Sequence, residues 1–577
     1  MEDFFRFVDF SKTPALTTDE AIIFSGSLYN NQALKKECNI VEEIEDSKLI
    51  EEAYKLFKTS LFEKLDGIFN LAIYDKKSNL LFLARDKIGI KPFYFYSHNQ
   101  SLIFGSNLKD FYNISTFSKK IDKEALTLYL RYGHILQSHT IFENTHKVKS
   151  GHYVCYDLNK QSFYQKKYWS LEECYLKEKL GINEDAIIEN IDLLLQKSIN
   201  KRLHKNQKIA VSLSGGYDSS MVTALLTKLH SKKIDTFTIG FSQDSINEAP
   251  DAKKIAQNLG TNHHEHYFSA EDALAIIPKL CEVYDEPFAD YAATPTVLMN
   301  SLVKQNGFNT LFAGDGGDEV FATADDVKKF ERLLKLPTPL KQSLYKILNK
   351  VEISKIPILN DYKNIPTKYY KFLKILKATD ISQMVEAKNI LFNEAEIEKL
   401  INNKSLSLHT TFDDINFPPF SENVDKIIGS YFKTSMTDAE LVKTFGAARA
   451  QKLDISLPLL DIEVIKYLAR VPQSIKIKNG EKKYILKKIA HQYMPKELLQ
   501  RPKSGFSIPF STWFKGPLKE LVYEQINEKR VKDDSIFDIE SVLKIRDGFY
   551  GGNDAYKYKL WSLFIFQLWY ENITQVK

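Results

Sequence analysis

Between Ala21 and Trp169 apolar and polar residues alternate along four stretches, AIIFSGSLYN, GIFNLAIYDKKSNLLFLARD, KPFYFYSHNQSLIFGS and GHYVCYDLNKQSFYQKKYW, separated by turn clusters such as Asp75-Lys76-Lys77-Ser78-Asn79 and His98-Asn99-Gln100. Helical spacing interrupts at 30–37, 46–64 and 122–132. Residues 1–165 therefore read as an α+β domain built on an antiparallel sheet. From about residue 183 helices alternate with short apolar runs: IIENIDLLLQKSINKRL, KIAVSLS, SSMVTALLTKLH, IDTFTIGF, EAPDAKKIAQNLG, HHEHYFS, EDALAIIPKLCEVY, TPTVLMNSLVKQNG and NTLFAGDGGDEVF. Strands spaced by helices of this length predict an α/β, doubly wound parallel sheet over 183–577, with ligands outside the strand C-termini. Residues 324–450 are a lysine-rich helical insertion punctuated by prolines, and the remainder is helical around the loop LQRPKSGFSIPFSTWF.

A chain of 577 residues, 44% hydrophobic and 27% charged, has room for two to four domains of about 100–200 residues. The net charge of +5 is small and both signs are interspersed, so nucleic acid is not called for. Cys38, Cys155, Cys174 and Cys281 are too widely spaced for a metal knuckle or a disulfide framework and read as reduced thiols. The start MEDFFRF lacks the positive charge of a signal peptide, and the longest apolar run, at 560–570, is shorter than the roughly 20 residues of a membrane span. The expectation is a cytoplasmic protein without a membrane anchor, that run being a helix docked on the core.

The densest chemistry lies in VSLSGGYDSSM, Val211 to Met221, a strand, a Ser-Gly-Gly turn and a helix start. Gly215 and Gly216 let backbone pass close to a ligand, and a helix N-terminus offers N–H groups to an anion. Asp218 beside an anion site implies a hard cation between carboxylate and phosphate, hence Mg²⁺. No lysine is present to hold a γ-phosphate, which points away from GxxxxGK[ST] chemistry. An ordinary Gly-containing turn is the plain alternative. In AGDGGDEVF, Asp315, Asp318 and Glu319 could simply cap the next helix. Taken with Asp218 at the same sheet edge, a Mg²⁺ shared by Asp218 and Asp318 explains them better. Asp285 and Glu286 fit a surface turn equally well. Lys503 stands in a loop fixed by Pro502 and Gly505, and a lysine held over a phosphate would stabilise developing charge.

SLSGGYDSS, TIGF, LGTNHHE, YDEPFADYAATPT, AGDGGDEVF, LPLLD, GEKKYILKKIA and RPKSGFSIPFSTWF, in this order, resemble the synthetase half of bacterial asparagine synthetases. FSGSLYN, LDGIFNLAIYDKKSNLLFLARDKIGIKPFYFY and LIFGSNLKDF resemble the glutaminase half. The resemblance implies ATP-dependent activation of a carboxylate as an acyl-adenylate, then attack by ammonia to give an amide, AMP and pyrophosphate. It implies that Ser214, Gly215, Gly216, Asp218 and Ser219 hold the phosphates, with Gly314 on the facing loop, and that Leu213 and Gly240 line the adenosine pocket. Asp218 and Asp318 share the metal, Asp315 orients or deprotonates the nucleophile, and Lys503 stabilises the transition state.

The family's glutaminase begins Met-Cys-Gly, whereas this chain begins Met1-Glu2-Asp3 and its first cysteine is Cys38. Ser25 and Ser27 replace the Asn and Glu of the family's FNGEIYN, and Phe4 falls where an arginine holds the glutamine carboxylate. The first domain is therefore expected to be a degenerate scaffold that does not hydrolyse glutamine. Asp454 and Ser456 replace the Glu and Arg of the family's LEVRVPFLD, in its acceptor region. Three readings follow: ammonia transfer to aspartate, amidation of another acid (a sugar acid, peptide or small molecule) by ammonia or an amine, or a non-catalytic nucleotide binder. The partners expected are ATP, a carboxylic acid and ammonia, with a separate glutaminase and a homodimer as the macromolecular candidates.

Overall fold

The computed structural model describes residues 5–9, 22–181, 183–203, 207–242, 247–322, 327–351, 365–402, 408–418, 420–500 and 510–575. Along its first part run strands β1 (Phe5–Asp9), β2 (Ile22–Leu28), β3 (Gly67–Asp75), β4 (Leu80–Arg85), β5 (Tyr94–His98), β6 (Ser101–Gly105), β7 (Thr145–Lys147), β8 (His152–Asp157) and β9 (Ser162–Lys167). They form two antiparallel sheets, ordered β2-β3-β4-β8-β9 and β1-β6-β5-β7. Leu81, Leu83, Val154 and Tyr156 of one sheet meet Phe95, Leu102 and Phe104 of the other. The period of two sends Leu71, Ile73, Phe82 and Tyr153 to the opposite face, where they cover Leu49, Ile50 and Ala53 of the helix Asp46–Phe57. Behind the second sheet Tyr94, Tyr96 and Ile103 join Ala125 and Tyr129 of the helix Lys123–Tyr132, which Asp122 caps. The result is two sheets sandwiched between helices.

A parallel sheet follows: β10 (Ala210–Ser212), β11 (Asp235–Phe241), β12 (Asn262–Phe268), β13 (Thr310–Phe312) and β14 (Asp454–Ser456), in the order β12-β11-β10-β13-β14. From β10 the chain winds outward through β11 and β12, then returns to place β13 on β10's other side. The ends of β10 and β13 thus flank the point where winding reverses, the usual position of a ligand crevice.

Three local expectations change. The run Glu271–Tyr284 is not one helix: Pro278 cannot donate the hydrogen bond a helix interior needs, and the segment divides into Ala270–Ile276, a 3₁₀ turn Ile277–Lys279 and Leu280–Val283. The strand read in KIAVSLS spans only Ala210–Ser212. Residues 454–456, inside a stretch read as helical, form the fifth parallel strand, pairing Thr310 with Asp454 and Phe312 with Ser456.

The apolar C-terminal run is the helix Lys557–Gln575, buried at Trp561, Phe564, Phe566 and Trp569. It ties the two sheet systems together: the Tyr129 hydroxyl donates to Ser562 O at 2.6 Å, Trp569 Nε1 donates to Asp285 O at 3.2 Å, and the Trp569 ring lies 5.7 Å from Phe142. Among the described residues no helix is long and apolar enough to cross a membrane. Truncating Trp569 removes a large buried ring and one of two donors to the Asp285 carbonyl, which the Tyr112 hydroxyl still serves at 3.2 Å. Trp569→Ala is expected to lower the unfolding free energy by about 3–5 kcal/mol, read by chemical denaturation.

Candidate active site

The loop after β10 is wired to itself. Ser214 N–H donates to Ser219 Oγ at 3.1 Å, Gly216 N–H to Ser214 Oγ at 3.3 Å, and Ser219 Oγ to Gly216 O at 3.3 Å. Gly215 takes φ +75°, a turn that side chains rarely make, and Gly216 caps the helix Tyr217–Leu229 in extended conformation. An α-helix cannot satisfy its own first N–H groups internally, so this N-terminus, directly after β10, offers donors at the crevice end of the sheet. Leu213 is buried, and its carbonyl accepts from Thr238 Oγ1, so its side chain serves the core. Gly240, near the end of β11, has a packing reason too: a Cβ there would come 2.9 Å from the Tyr267 ring and 3.0 Å from the Ala249 methyl.

The second loop, after β13, lies directly on the first. A Cβ on Gly314 would sit 2.6 Å from Ser219 N, and one on Gly317 would overlap the Asp218 carboxylate. The contact of backbone with backbone brings Asp218 and Asp318 together. Both reach the ammonium of Lys483, which contacts Asp218 Oδ2 and lies 2.8 Å from Asp318 Oδ1. Lys483 precedes the helix Tyr484–Tyr493, its N–H donates to Ala322 O at 3.2 Å, and its helix is pinned to the first loop by Tyr217 OH and His491 Nε2 at 3.1 Å. Lys503, the lysine expected over the crevice, lies outside the described residues. Lys483 carries its signal in GEKKYILKKIA, a lysine just ahead of a helix. Amid so many solvated lysines that signal has no contrast.

The next acid faces the other side. Asp315 Oδ1 accepts from Thr444 Oγ1 at 2.8 Å. One turn earlier on the same helical run, Glu440 ends a π-helical segment, Phe432–Glu440, and shares Lys443 with Asp290: Lys443 Nζ stands 2.5 Å from Glu440 Oε2 and 3.0 Å from Asp290 Oδ2. Burial opposes that lysine's charge, but the two carboxylates overcome it and hold the ammonium protonated. Glu319 is pushed up to about 8 by burial, then by the charges of Asp318 and Glu440. Asp454 and Ser456 lie on β14 beside this loop, where Ser456 O accepts from Ala313 N–H at 3.0 Å and the buried Ser456 hydroxyl has no hydrogen-bond partner among the described residues.

Asp285 and Glu286 are not on a surface turn. Asp285 is buried and holds Arg449 through both oxygens, at 2.8 and 3.1 Å, while Glu286 pairs with Lys147 of β7 at 2.6 Å. These pairs border a cavity of about 40 Å³ between the second antiparallel sheet and the part of the chain that carries the parallel sheet, lined also by Tyr94, His134 and Asp438. Burial holds His134 down to about 4 and pushes Asp438 up to about 6.

Residues 190–571 match the family described as Asparagine synthase, and residues 9–169 the Glutamine amidotransferase domain. The chain belongs to the asparagine synthase family. It is 25% identical over 566 residues to "Asparagine synthetase [glutamine-hydrolyzing] 1" of Bacillus subtilis (strain 168), covering 95% of this chain and 85% of that protein. It is 32% identical over 361 residues to "Putative asparagine synthetase [glutamine-hydrolyzing] 2" of Methanocaldococcus jannaschii, covering 61% and 67%. It is 24% identical over 553 residues to "Amidase chyE" of Penicillium rubens, covering 88% and 80%. The antiparallel sandwich and the parallel sheet thus fall in the two matched regions.

Two carboxylates converging on one cation, on a cradle that a Cβ would fill, fit a hard divalent ion completed by phosphate and water oxygens. Among the described residues no group of three or more His, Cys, Asp or Glu could hold a metal, so such an ion needs its substrate for the remaining ligands. The proton on Glu319 gives a pH signature. Its folded-state value lies above that of an unfolded Glu, so the folded chain retains a proton that the unfolded chain has released. Unfolding free energy is expected to fall as pH rises from about 4.5 to about 8, and Glu319→Gln should flatten that slope in denaturation curves measured across the range.

Proposed function

We propose that this member of the asparagine synthase family is an AMP-forming amide ligase. It adenylates a carboxylate, with aspartate the first substrate to test, and passes ammonia to the activated acyl group. The observation that carries this reading is the meeting of Asp218 and Asp318 at one cation between two glycine loops and a helix N-terminus. Ser214, Gly215, Gly216 and Ser219 bind the phosphates leaving as pyrophosphate; the backbone at Leu213 and Gly240 borders the adenosine, and Gly314 lets the loops close. Asp218 and Asp318 would hold Mg²⁺ in the place that the Lys483 ammonium takes between them, and the ion would neutralise charge on the leaving phosphates. Lys483, which that ion would release from the two carboxylates, sets a positive charge where negative charge collects as the α-phosphorus is attacked, with Lys503 as the second candidate for that role. Asp315, oriented by Thr444, receives a proton from the incoming nitrogen.

Residues 1–165 serve as a scaffold without glutaminase activity, and 183–577, with the insertion 324–450, carry the ligase. Ser25 Oγ accepts the ammonium of the fully buried Lys91, which commits that side chain to the interior. Burial, aided by Glu37, raises the Cys38 thiol, and burial raises Cys155, the opposite of what a thiolate nucleophile needs. Ammonia then comes from solution or from a separate glutaminase. A second reading, amidation of an acid other than aspartate, is favoured by Asp454 and the unpartnered Ser456 hydroxyl beside the acceptor side, and by the amidase name of the Penicillium relative.

ATP–pyrophosphate exchange, screened over aspartate and other acids with ammonia, hydroxylamine or glutamine as acceptor, separates these readings. Exchange with aspartate and ammonia-dependent asparagine supports the first, exchange with another acid the second, and no exchange with any acid overturns both. Lys483→Ala is expected to lower exchange by about 10²–10³-fold. Gly317→Ala, which displaces Asp218 without altering charge, should lower it as well. With glutamine alone, glutamate release above a protein-free blank would refute the scaffold assignment.

A further inference from the structure

Residues 327–377 hold thirteen Lys and Arg against three Asp and Glu, a net +10, while the whole chain carries +5. The remainder is therefore acidic by −5, and the positive charge of this protein is a local feature. The segment begins nine residues after Asp318, and its described parts form three helices, Val327–Leu334, Thr338–Leu348 and Ile365–Lys377. The last two are locked antiparallel: the Tyr369 hydroxyl donates to Leu348 O at 2.6 Å and Lys341 Nζ to Ala378 O at 3.3 Å.

This pair presents apolar side chains to solvent. Leu340 is 47% exposed and Ile347 65% exposed. Seven residues apart, they lie two turns along one face of their helix, and Val351, 43% exposed, follows just beyond its end. Phe372, 41% exposed, stands on the neighbouring helix. Lys346 and Lys350 are exposed next to Ile347 and Val351 in the chain, and exposed Lys368 precedes Phe372 by one helical turn. Exposed apolar residues among lysines are the pattern of a helix lying in the boundary of an anionic bilayer, where acyl chains take the apolar side chains and head groups the ammonium groups. A second copy of the same face is excluded by repulsion between two lobes of +10. A nucleic-acid backbone would match the lysines but leave the apolar residues without a role.

We propose that this lobe docks the protein on an anionic membrane surface, with Leu340, Ile347 and Phe372 entering the head-group boundary. Docking there is distinct from crossing. The lobe also borders the crevice: a Cβ on Gly480 would lie 3.3 Å from Lys328 Nζ, three residues before Lys483. A docked molecule holds its catalytic edge near the lipid surface.

The test is co-sedimentation of the full chain with vesicles of phosphatidylcholine alone and with vesicles containing phosphatidylglycerol, with unchanged melting temperature as the check on folding. Binding is expected only with phosphatidylglycerol, weakened about tenfold or more by K346E/K350E/K368E and also weakened by L340S/I347S. No binding to the anionic vesicles, or equal binding by the variants, overturns the proposal. Loss with the charge variant but not with L340S/I347S, together with retention on duplex DNA at the same salt, overturns it in favour of a polyanion.

Discussion

Everything chemical in this molecule depends on one steric fact: with no side chain, Gly314 lies against the backbone of Asp218 and Ser219, and Gly317 lies against the Asp218 carboxylate. Only at that separation can Asp218 and Asp318 share a single positive charge. Two carboxylates held this close repel strongly unless a cation lies between them, so the arrangement is stable only with its partner in place. In this structure the partner is Lys483, delivered from 265 residues beyond Asp218 by a helix that packs on the first loop's own helix. Fold and site are thus one problem: the switch in winding brings β10 and β13 together, and glycine closes the last ångströms.

The two sheet systems are joined as firmly as either is built. The helix Lys557–Gln575 is buried on nearly all sides, with Trp561 and Trp569 donating to the carbonyls of Ala289 and Asp285. Because Asp285 also grips Arg449, and neighbouring Glu286 grips Lys147 of the antiparallel half, the boundary between the halves is a seam of buried charge. Such pairs add little net stability but make wrong alignments costly, since a shifted seam leaves charges buried and unpaired.

Much of this was legible in the sequence, for physical reasons that also explain the exceptions. Period-two alternation and turn clusters located β2 to β6, β8 and β9, and the helix–strand rhythm located β10 to β13, because one buried face imposes a periodicity. β7 and β14 have three residues each and no period to read. The glycine–acid strings announced the crevice because few other structures need glycine and carboxylate so close. The roles of Asp285 and Glu286 were not legible, because a buried ion pair is recognised by its partner, and Arg449 and Lys147 are far away in sequence. The choice between Lys483 and Lys503 likewise rests on position in space. The insertion read as lysine-rich, but its contrast with an otherwise acidic chain appears only when charge is counted by segment.

The π-helical segment Phe432–Glu440 sits between the antiparallel domain and the crevice. Asp438 accepts from Gln137 N–H at 3.0 Å on the antiparallel side, while Glu440, two residues on, grips Lys443 behind Asp315. A wide helical turn needs one residue more than an ordinary one, and tightening it would rotate everything that follows by about 100°. Neither carboxylate can therefore change its angular position alone. This stretch of chain works as a phase lock between distant neighbours, and natural variation in its length should be rarer than in any surface loop of comparable size.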